Sequence, residues 1–259
     1  MSPSIHHADG DLVVTGLKKS FGGLDVIRGI DIHVPAGERR VIIGPNGAGK
    51  TTLFNLVSGW LKPTSGSIQL SGEEVAYRSP YQRVRMGLGR TFQVPQPFHS
   101  LTVQQNTLLA LQSPGHFRSL WRQLVRVEPM LLERAAELMH EWQLWEKRDW
   151  MVHQLSYGEK RRLEILLSTA TSPKILLLDE PMAGLTTEER RQFAEMLTRF
   201  PRETSILLID HDIEIALSIA EKVTVLHLGE VITEGTPEEI KKDSRVQQVY
   251  LGVGVSSDA

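Results

Sequence analysis

The chain has 259 residues, 29 Lys and Arg against 31 Asp and Glu, a formal charge of −2 and no cysteine. Without cysteine there is no disulfide framework, thiolate nucleophile or Cys-ligated zinc, and the near-neutral balance offers no basic surface for nucleic acid. No apolar run approaches the ~20 residues that cross a bilayer, and the first residues lack an apolar signal core, so the sequence reads as a soluble, cytosolic protein.

Residues 1–10 are small and polar and read as a loose leader. Ile30-Asp31-Ile32-His33-Val34 alternates apolar and polar, as a half-buried strand does, and Pro35-Ala36-Gly37 turns the chain. Val41-Ile42-Ile43, a continuous apolar run ending in glycine, reads as a strand buried on both faces. Leu53, Phe54, Leu56, Val57, Trp60 and Leu61 then recur at helical spacing. From about Met86 to Leu155 the β signal is scarce, and Trp121, Trp142, Trp145 and Trp150 fall there. Leu131, Ala135, Leu138, Trp142 and Trp145 make one apolar stripe on a helix. This stretch reads as a helical lobe with the tryptophans in its core. Ile175–Leu178 and Ile206–Ile209 are further buried-strand runs, each leading into helix. Strands interleaved with helices predict a mostly parallel sheet covered on both faces. Val223–Gly235 reads as a hairpin turning at Gly229-Glu230, and Thr236-Pro237-Glu238-Glu239 opens the last helix with a capping box and an N1 proline.

Gly44-Pro45-Asn46-Gly47-Ala48-Gly49-Lys50-Thr51-Thr52 fits G-x-x-x-x-G-K-[ST] where a strand gives way to a helix. Gly47 and Gly49 let backbone N–H groups wrap an anion, and the helix N-terminus adds a positive dipole end. Lys50 suits the β- and γ-phosphates and the Thr51 hydroxyl suits Mg²⁺. This is a nucleoside triphosphate site. Lys174–Pro181 is a buried strand ending in two carboxylates, Asp179 and Glu180. Unpaired carboxylates there are costly, so Asp179 is expected to hold Mg²⁺ through water and Glu180 to polarise an attacking water.

Leu155-Ser156-Tyr157-Gly158-Glu159 comes shortly before that strand, with Ser156 as a helix N-cap and Glu159 three residues on. Together with the phosphate loop it resembles the ATPase subunit of an ABC transporter, whose signature is usually written L-S-G-G-Q. The resemblance runs from Leu12 to Gly252. It implies an α/β fold: a P-loop, RecA-like, mostly parallel sheet core (11–90 and 160–252), an antiparallel β subdomain, an inserted helical lobe (about 91–160), and tails at 1–10 and 253–259. It implies ATP and Mg²⁺ as cofactors. It further implies that Ser156, Tyr157 and Gly158 meet the γ-phosphate held by another protomer, so that two sites form in a head-to-tail dimer. Phe21, 23 residues before Gly44, matches the aromatic that stacks on adenine. Gln93, in Gly87-Leu88-Gly89-Arg90-Thr91-Phe92-Gln93, matches the glutamine that touches Mg²⁺ and the attacking water, and His211 matches the switch histidine near the γ-phosphate.

Tyr157 and Glu159 depart from the common spelling. Thr186 stands where the loop Ala183-Gly184-Leu185-Thr186 usually ends in Asp or Asn. Its capping box with Glu189 survives, but a carboxylate or amide that would bond the opposite phosphate loop is lost, which implies weaker coupling between the two sites. Val94–Leu101, with Pro95, Pro97 and Phe98, is the segment the family would dock on a membrane subunit. Thr91–Phe98 and Val249-Tyr250-Leu251-Gly252 look most like the bacterial importers of branched-chain amino acids, with relatives for urea and short amides. That subgroup implies a second ATPase subunit in a homo- or heterodimer, separate integral-membrane permeases, an indirect periplasmic solute-binding protein, no nucleic acid, and a peripheral place on the cytoplasmic face of the inner (plasma) membrane. Three alternatives stay open. A lipopolysaccharide-transport ATPase also ends in Tyr-Leu-Gly. A soluble, non-transport ABC ATPase usually carries two cassettes or a coiled-coil insertion. A P-loop kinase would need neither the signature nor His211.

Overall fold

A computed structural model of the chain describes residues 9–91, 97–112, 129–210 and 213–251. β1 (Leu12–Phe21) and β2 (Leu24–Val34) form a hairpin closed by Gly22-Gly23, and β3 (Arg39–Ile43) runs into α1 (Lys50–Val57). β4 (Ser65–Leu70) and the short β5 (Glu73–Glu74) join the hairpin in an antiparallel sheet of order β2-β1-β4-β5. α2 (Pro80–Arg85), β6 (Leu88–Arg90), α3 (Val103–Leu111) and α4 (Pro129–Glu141) follow. Then come α5 (Tyr157–Thr169), β7 (Ile175–Asp179), α6 (Thr187–Arg199), β8 (Ser205–Ile209) and α7 (Ile213–Ile219). β9 (Lys222–His227), β10 (Glu230–Gly235), α8 (Pro237–Lys242) and α9 (Ser244–Leu251) complete the described chain. The second sheet has the order β10-β9-β3-β8-β7-β6, parallel from β9 to β6, with β10 antiparallel at one edge.

The central strands read as unbroken apolar runs because both faces are covered. Successive side chains of a strand point to opposite faces, and the core divides accordingly. Val41, Ile43, Leu176, Leu178, Ile206 and Leu208 pack into one apolar cluster with α5, α6 and α7. Ile42, Ile175, Leu177, Leu207 and Ile209 pack into the other, with α1 and the antiparallel sheet. The helical stretch shares the first of these clusters: Trp142, 1% exposed, lies 6.3 Å from Phe193 and 6.2 Å from Phe200 between ring centroids. Among the described residues no helix is long and apolar enough to cross a membrane.

Several expectations need correction. α1 stops at Val57, because Gly59 takes φ 85° and the carbonyls of Leu56 and Val57 are capped by the buried Arg83; Trp60 is exposed. The apolar stripe does not ride on one helix. α4 ends at Glu141, Gln143 adopts φ 54°, and Trp145 sits in a 3-10 turn, half-buried and stacked on His140. Trp142 is buried as expected, but Trp150 is 44% exposed beneath the Lys147 ammonium, and Trp121 lies outside the described residues. Leu88–Arg90, within the stretch of scarce β signal but inside the expected core limit at residue 90, is the edge strand beside β7. The β9–β10 turn falls at Leu228-Gly229, both with positive φ, one residue earlier than expected. The leader up to residue 8, and residues 252–259, lie outside the described residues. Asp9 and Gly10 are tied down, by Lys174 and by the Ser71 hydroxyl.

Candidate active site

Parallel strands bring their carboxyl ends to one edge of the sheet, where open α/β folds keep their ligands. Here β3 delivers Gly44, β7 delivers Asp179 and Glu180, β8 delivers Asp210, and β6 delivers Arg90 and Thr91. Register fixes their mutual height. Ile42 pairs with Ile209, Ile209 with Asp179, and Arg90 with Leu177.

Gly49 caps α1 with φ 103° and no side-chain cap, and a Cβ there would come 2.8 Å from Ile27 Cδ1. Only glycine fits, and the first N–H groups of the helix are left for an anion. β2 and the β9–β10 turn clasp this loop. Gly229 N–H donates to Ala48 O at 3.0 Å, and Arg28 N–H donates to Gly229 O at 2.9 Å. The Lys50 ammonium donates to the Gly44 and Pro45 carbonyls at 2.6 and 3.0 Å. Burial pushes its pKa down, opposed by the charges of Glu180 and Asp179, so Lys50 and the two carboxylates share one electrostatic environment. Thr51 is exposed and Thr52 half-buried on the first turn of α1. Phe21 ends β1 at the hairpin, 44% exposed, with the Lys19 ammonium 4.8 Å from its ring centroid.

Asp179 is half-buried against the buried Arg90, whose Nη2 donates to Oδ2 at 3.2 Å. Burial raises the Asp179 carboxyl above the usual range, and the Arg90 charge opposes that. Arg90 also donates to Asn55 Oδ1 at 2.8 Å and to Ser58 Oγ at 2.6 Å, so it ties β6, α1 and β7 together. Glu180 is exposed, with its backbone in the left-handed region at φ 45°. Its N–H donates to Ile209 O at 2.8 Å, and its carbonyl accepts from Arg161 at 2.9 Å.

The signature folds as its spacing predicts. Glu159 N–H donates to Ser156 Oγ at 3.3 Å, and Ser156 N–H to Glu159 Oε2 at 2.9 Å. Burial raises the Glu159 carboxyl, but hydrogen bonds from Lys147 and Ser156 outweigh it and hold the group low. Tyr157 is exposed and its ring covers Gly184; a Cβ on Gly184 would meet the ring at 2.9 Å. A Cβ on Gly158 would meet Glu189 Oε1 at 2.6 Å. The start of α5 therefore rests on the loop that ends at Thr186, which caps α6. Gln93, His211 and residues 94–96 of the expected docking segment lie outside the described residues. Phe98 is exposed and bonds Asn106 through its backbone.

The family model described as ABC transporter matches residues 27–183, which contain the phosphate loop, the signature and both strand-end carboxylates. The chain belongs to the ABC transporter family. A second model, described as branched-chain amino acid ATP-binding cassette transporter, matches residues 230–256. This cassette is 38% identical over 248 residues to the high-affinity branched-chain amino acid transport ATP-binding protein LivG of Escherichia coli (strain K12), covering 93% of this chain and 97% of that protein. It is 36% identical over 242 residues to the lipopolysaccharide export system ATP-binding protein LptB of Acidithiobacillus ferridurans, covering 93% and 96%. Among solved structures it is similar to the ADP conformation of MJ1267, an ATP-binding cassette of an ABC transporter, with TM-score 0.82, 29% identity, and 93% and 98% coverage. The expected fold and activity hold: this is an ABC ATPase that binds and hydrolyses ATP as a transporter subunit.

Three residues of the cassette's site were not legible in its sequence. Arg90 lies within the stretch quoted for Gln93, but only the β6–β7 pairing sets it on Asp179. Arg161 sits between Lys160 and Arg162, and helical phase alone turns it inward. Tyr250, on α9, is hydrogen-bonded by the backbone of Gly44, and burial pushes its hydroxyl up to about 12. Tyr250 belongs to the Val249–Gly252 stretch that resembles the importers, yet nothing in that spacing sets it against the first glycine of the phosphate loop.

Proposed function

We propose that this ATPase energises a membrane importer of branched-chain amino acids or a related small polar solute such as urea or short amides. The observation that carries the solute reading is the C-terminal match over residues 230–256, supported by the likeness to LivG over nearly the whole chain. The chain works at the cytoplasmic face of the plasma membrane, bound to separate permease subunits and paired with a second ATPase subunit, while a periplasmic binding protein supplies the solute.

In the reaction, the Gly44–Thr52 loop binds the triphosphate, and Lys50 exchanges its carbonyl partners for the β- and γ-phosphates. Phe21 stacks on adenine. Glu180, exposed beside Lys50, orients or deprotonates the water that attacks the γ-phosphate in line. Ser156, Tyr157 and Gly158 of the opposite protomer complete the charge stabilisation. His211 and Gln93 take the roles their matches imply. The Thr51 hydroxyl and the Asp179 carboxylate are hard oxygen donors of the kind Mg²⁺ takes, and the half-buried carboxylate favours a cation at the strand end. Thr51, Asp179 and Gln93 would hold Mg²⁺, which when bound neutralises charge on the β- and γ-phosphate oxygens.

The near-equal identity to LptB supports lipopolysaccharide export as the second reading. A gentle-detergent pull-down of the tagged chain from its native membranes, read by mass spectrometry, separates the two. Two different polytopic permeases with a second ATPase support the importer, and solute binding is then measured on the companion binding protein. Lipopolysaccharide-export membrane subunits, or recovery only with soluble partners, would overturn it. For the chemistry, Glu180→Gln is expected to bind ATP, dimerise and stall; retained turnover would remove Glu180 as the base.

A further inference from the structure

The turn after β7 is held from behind by one side chain. Arg161, on α5, is 6% exposed. Its Nε donates to Pro181 O at 2.8 Å, and its Nη2 donates to Glu180 O at 2.9 Å and to Asp179 O at 3.2 Å. Nη1 donates to Glu164 Oε2 at 2.6 Å, which supplies the counter-charge one turn along the helix. A guanidinium presents its N–H groups in one rigid plane, and here that plane spans three consecutive carbonyls.

The middle carbonyl is that of Glu180, whose φ of 45° is unusual for a residue with a side chain. Such a conformation persists only where the surroundings over-determine it. They do so here from both sides of the residue, through Ile209 O on its N–H and Arg161 on its C=O. Arg161 also stands five residues after Ser156, the cap of α5. A rigid shift of α5 therefore moves the signature and the clamp together.

We propose that Arg161 is a positioning residue for Glu180. It fixes the left-handed turn that aims the carboxylate, and it links the signature of one chain to the base of the same chain. The proposal rests on Glu180 being the base.

The test uses the full chain with Arg161→Gln and Arg161→Lys, each in the native and Glu180→Gln backgrounds, with ATP affinity, KM, kcat and melting temperature measured. Arg161→Gln is expected to keep ATP affinity and KM within about twofold while kcat falls about ten- to a hundredfold, the scale of a misplaced reacting group. Arg161→Lys, a point charge that cannot span all three carbonyls, is expected to fall between. In the Glu180→Gln background, Arg161→Gln should cost nothing further in single-turnover hydrolysis, since a residue acting through Glu180 has nothing left to position. Unchanged kcat, a matching loss of ATP affinity, or an undiminished loss in the Glu180→Gln background would overturn the proposal. If Arg161→Gln does not fold, Arg161→Lys decides: full kcat overturns, and reduced kcat at unchanged KM supports. An active Glu180→Gln would sink the base reading itself. An inactive Glu180→Gln beside a fully active Arg161→Gln sinks only the positioning role.

Discussion

Arg90→Met isolates what a buried cation does for the strand-end carboxylate. Arg90 and Asp179 have 6% and 13% of their side chains exposed, so removing the guanidinium leaves a carboxylate with little water to replace it. Methionine keeps much of the aliphatic bulk beside Phe54, over whose ring the guanidinium lies at 5.8 Å. Breaking one side of a buried pair costs about 3–5 kcal/mol. At about 2–4 °C per kcal/mol for a chain of this size, the melting temperature should fall by roughly 6–20 °C at pH 8. The sign with pH follows from Asp179. Burial already raises its folded pKa above the unfolded value, and losing Arg90 raises it further. A raised folded pKa contributes stability that is complete below the unfolded value of about 4 and is lost as pH rises through the folded value. The penalty of Arg90→Met relative to the native chain should therefore be smaller at pH 5 than at pH 8. Thermal melts of both proteins at the two pH values, without nucleotide, measure it. Adding Asp179→Asn should recover most of the loss. A penalty at pH 8 under about 1 kcal/mol, or one equal at both pH values, would refute the pairing argument.

Lys50→Ala should lower nucleotide affinity about ten- to a hundredfold, the worth of one charge-assisted bond to phosphate; titration calorimetry with a non-hydrolysable ATP analogue reads it, and unchanged affinity would clear Lys50 of the role. Thr186→Asp keeps a good N-cap on α6, so stability should move by less than about 0.5 kcal/mol. Turnover should become more cooperative in ATP, and unchanged turnover and cooperativity would end the weak-coupling idea.

The chemistry-bearing segments were legible in the sequence because they are local. The phosphate loop needs glycine at 49 for its φ, Ser156, Thr186 and Thr236 cap helices through a residue three positions on, and Ile175–Leu178 must be apolar on both faces. Periodicity misjudged the ends of elements, since apolar spacing continues past a helix that Gly59 or Gln143 has already terminated. It also missed β6, three residues long, which is a strand only because β7 lies beside it.

By itself, the sequence determined which strand ends carry the phosphate loop and the two carboxylates, because backbone conformation, capping and strand burial are set within a few residues. Only the tertiary structure decided which cations serve the Asp179 carboxylate and the backbone turn at Glu180. Arg90 reaches Asp179 across the sheet, and Arg161 reaches the Glu180 turn from a neighbouring helix. One of many arginines becomes the partner only when strand pairing and helix packing bring it within hydrogen-bond range, and neither distance is written in the spacing of the residues.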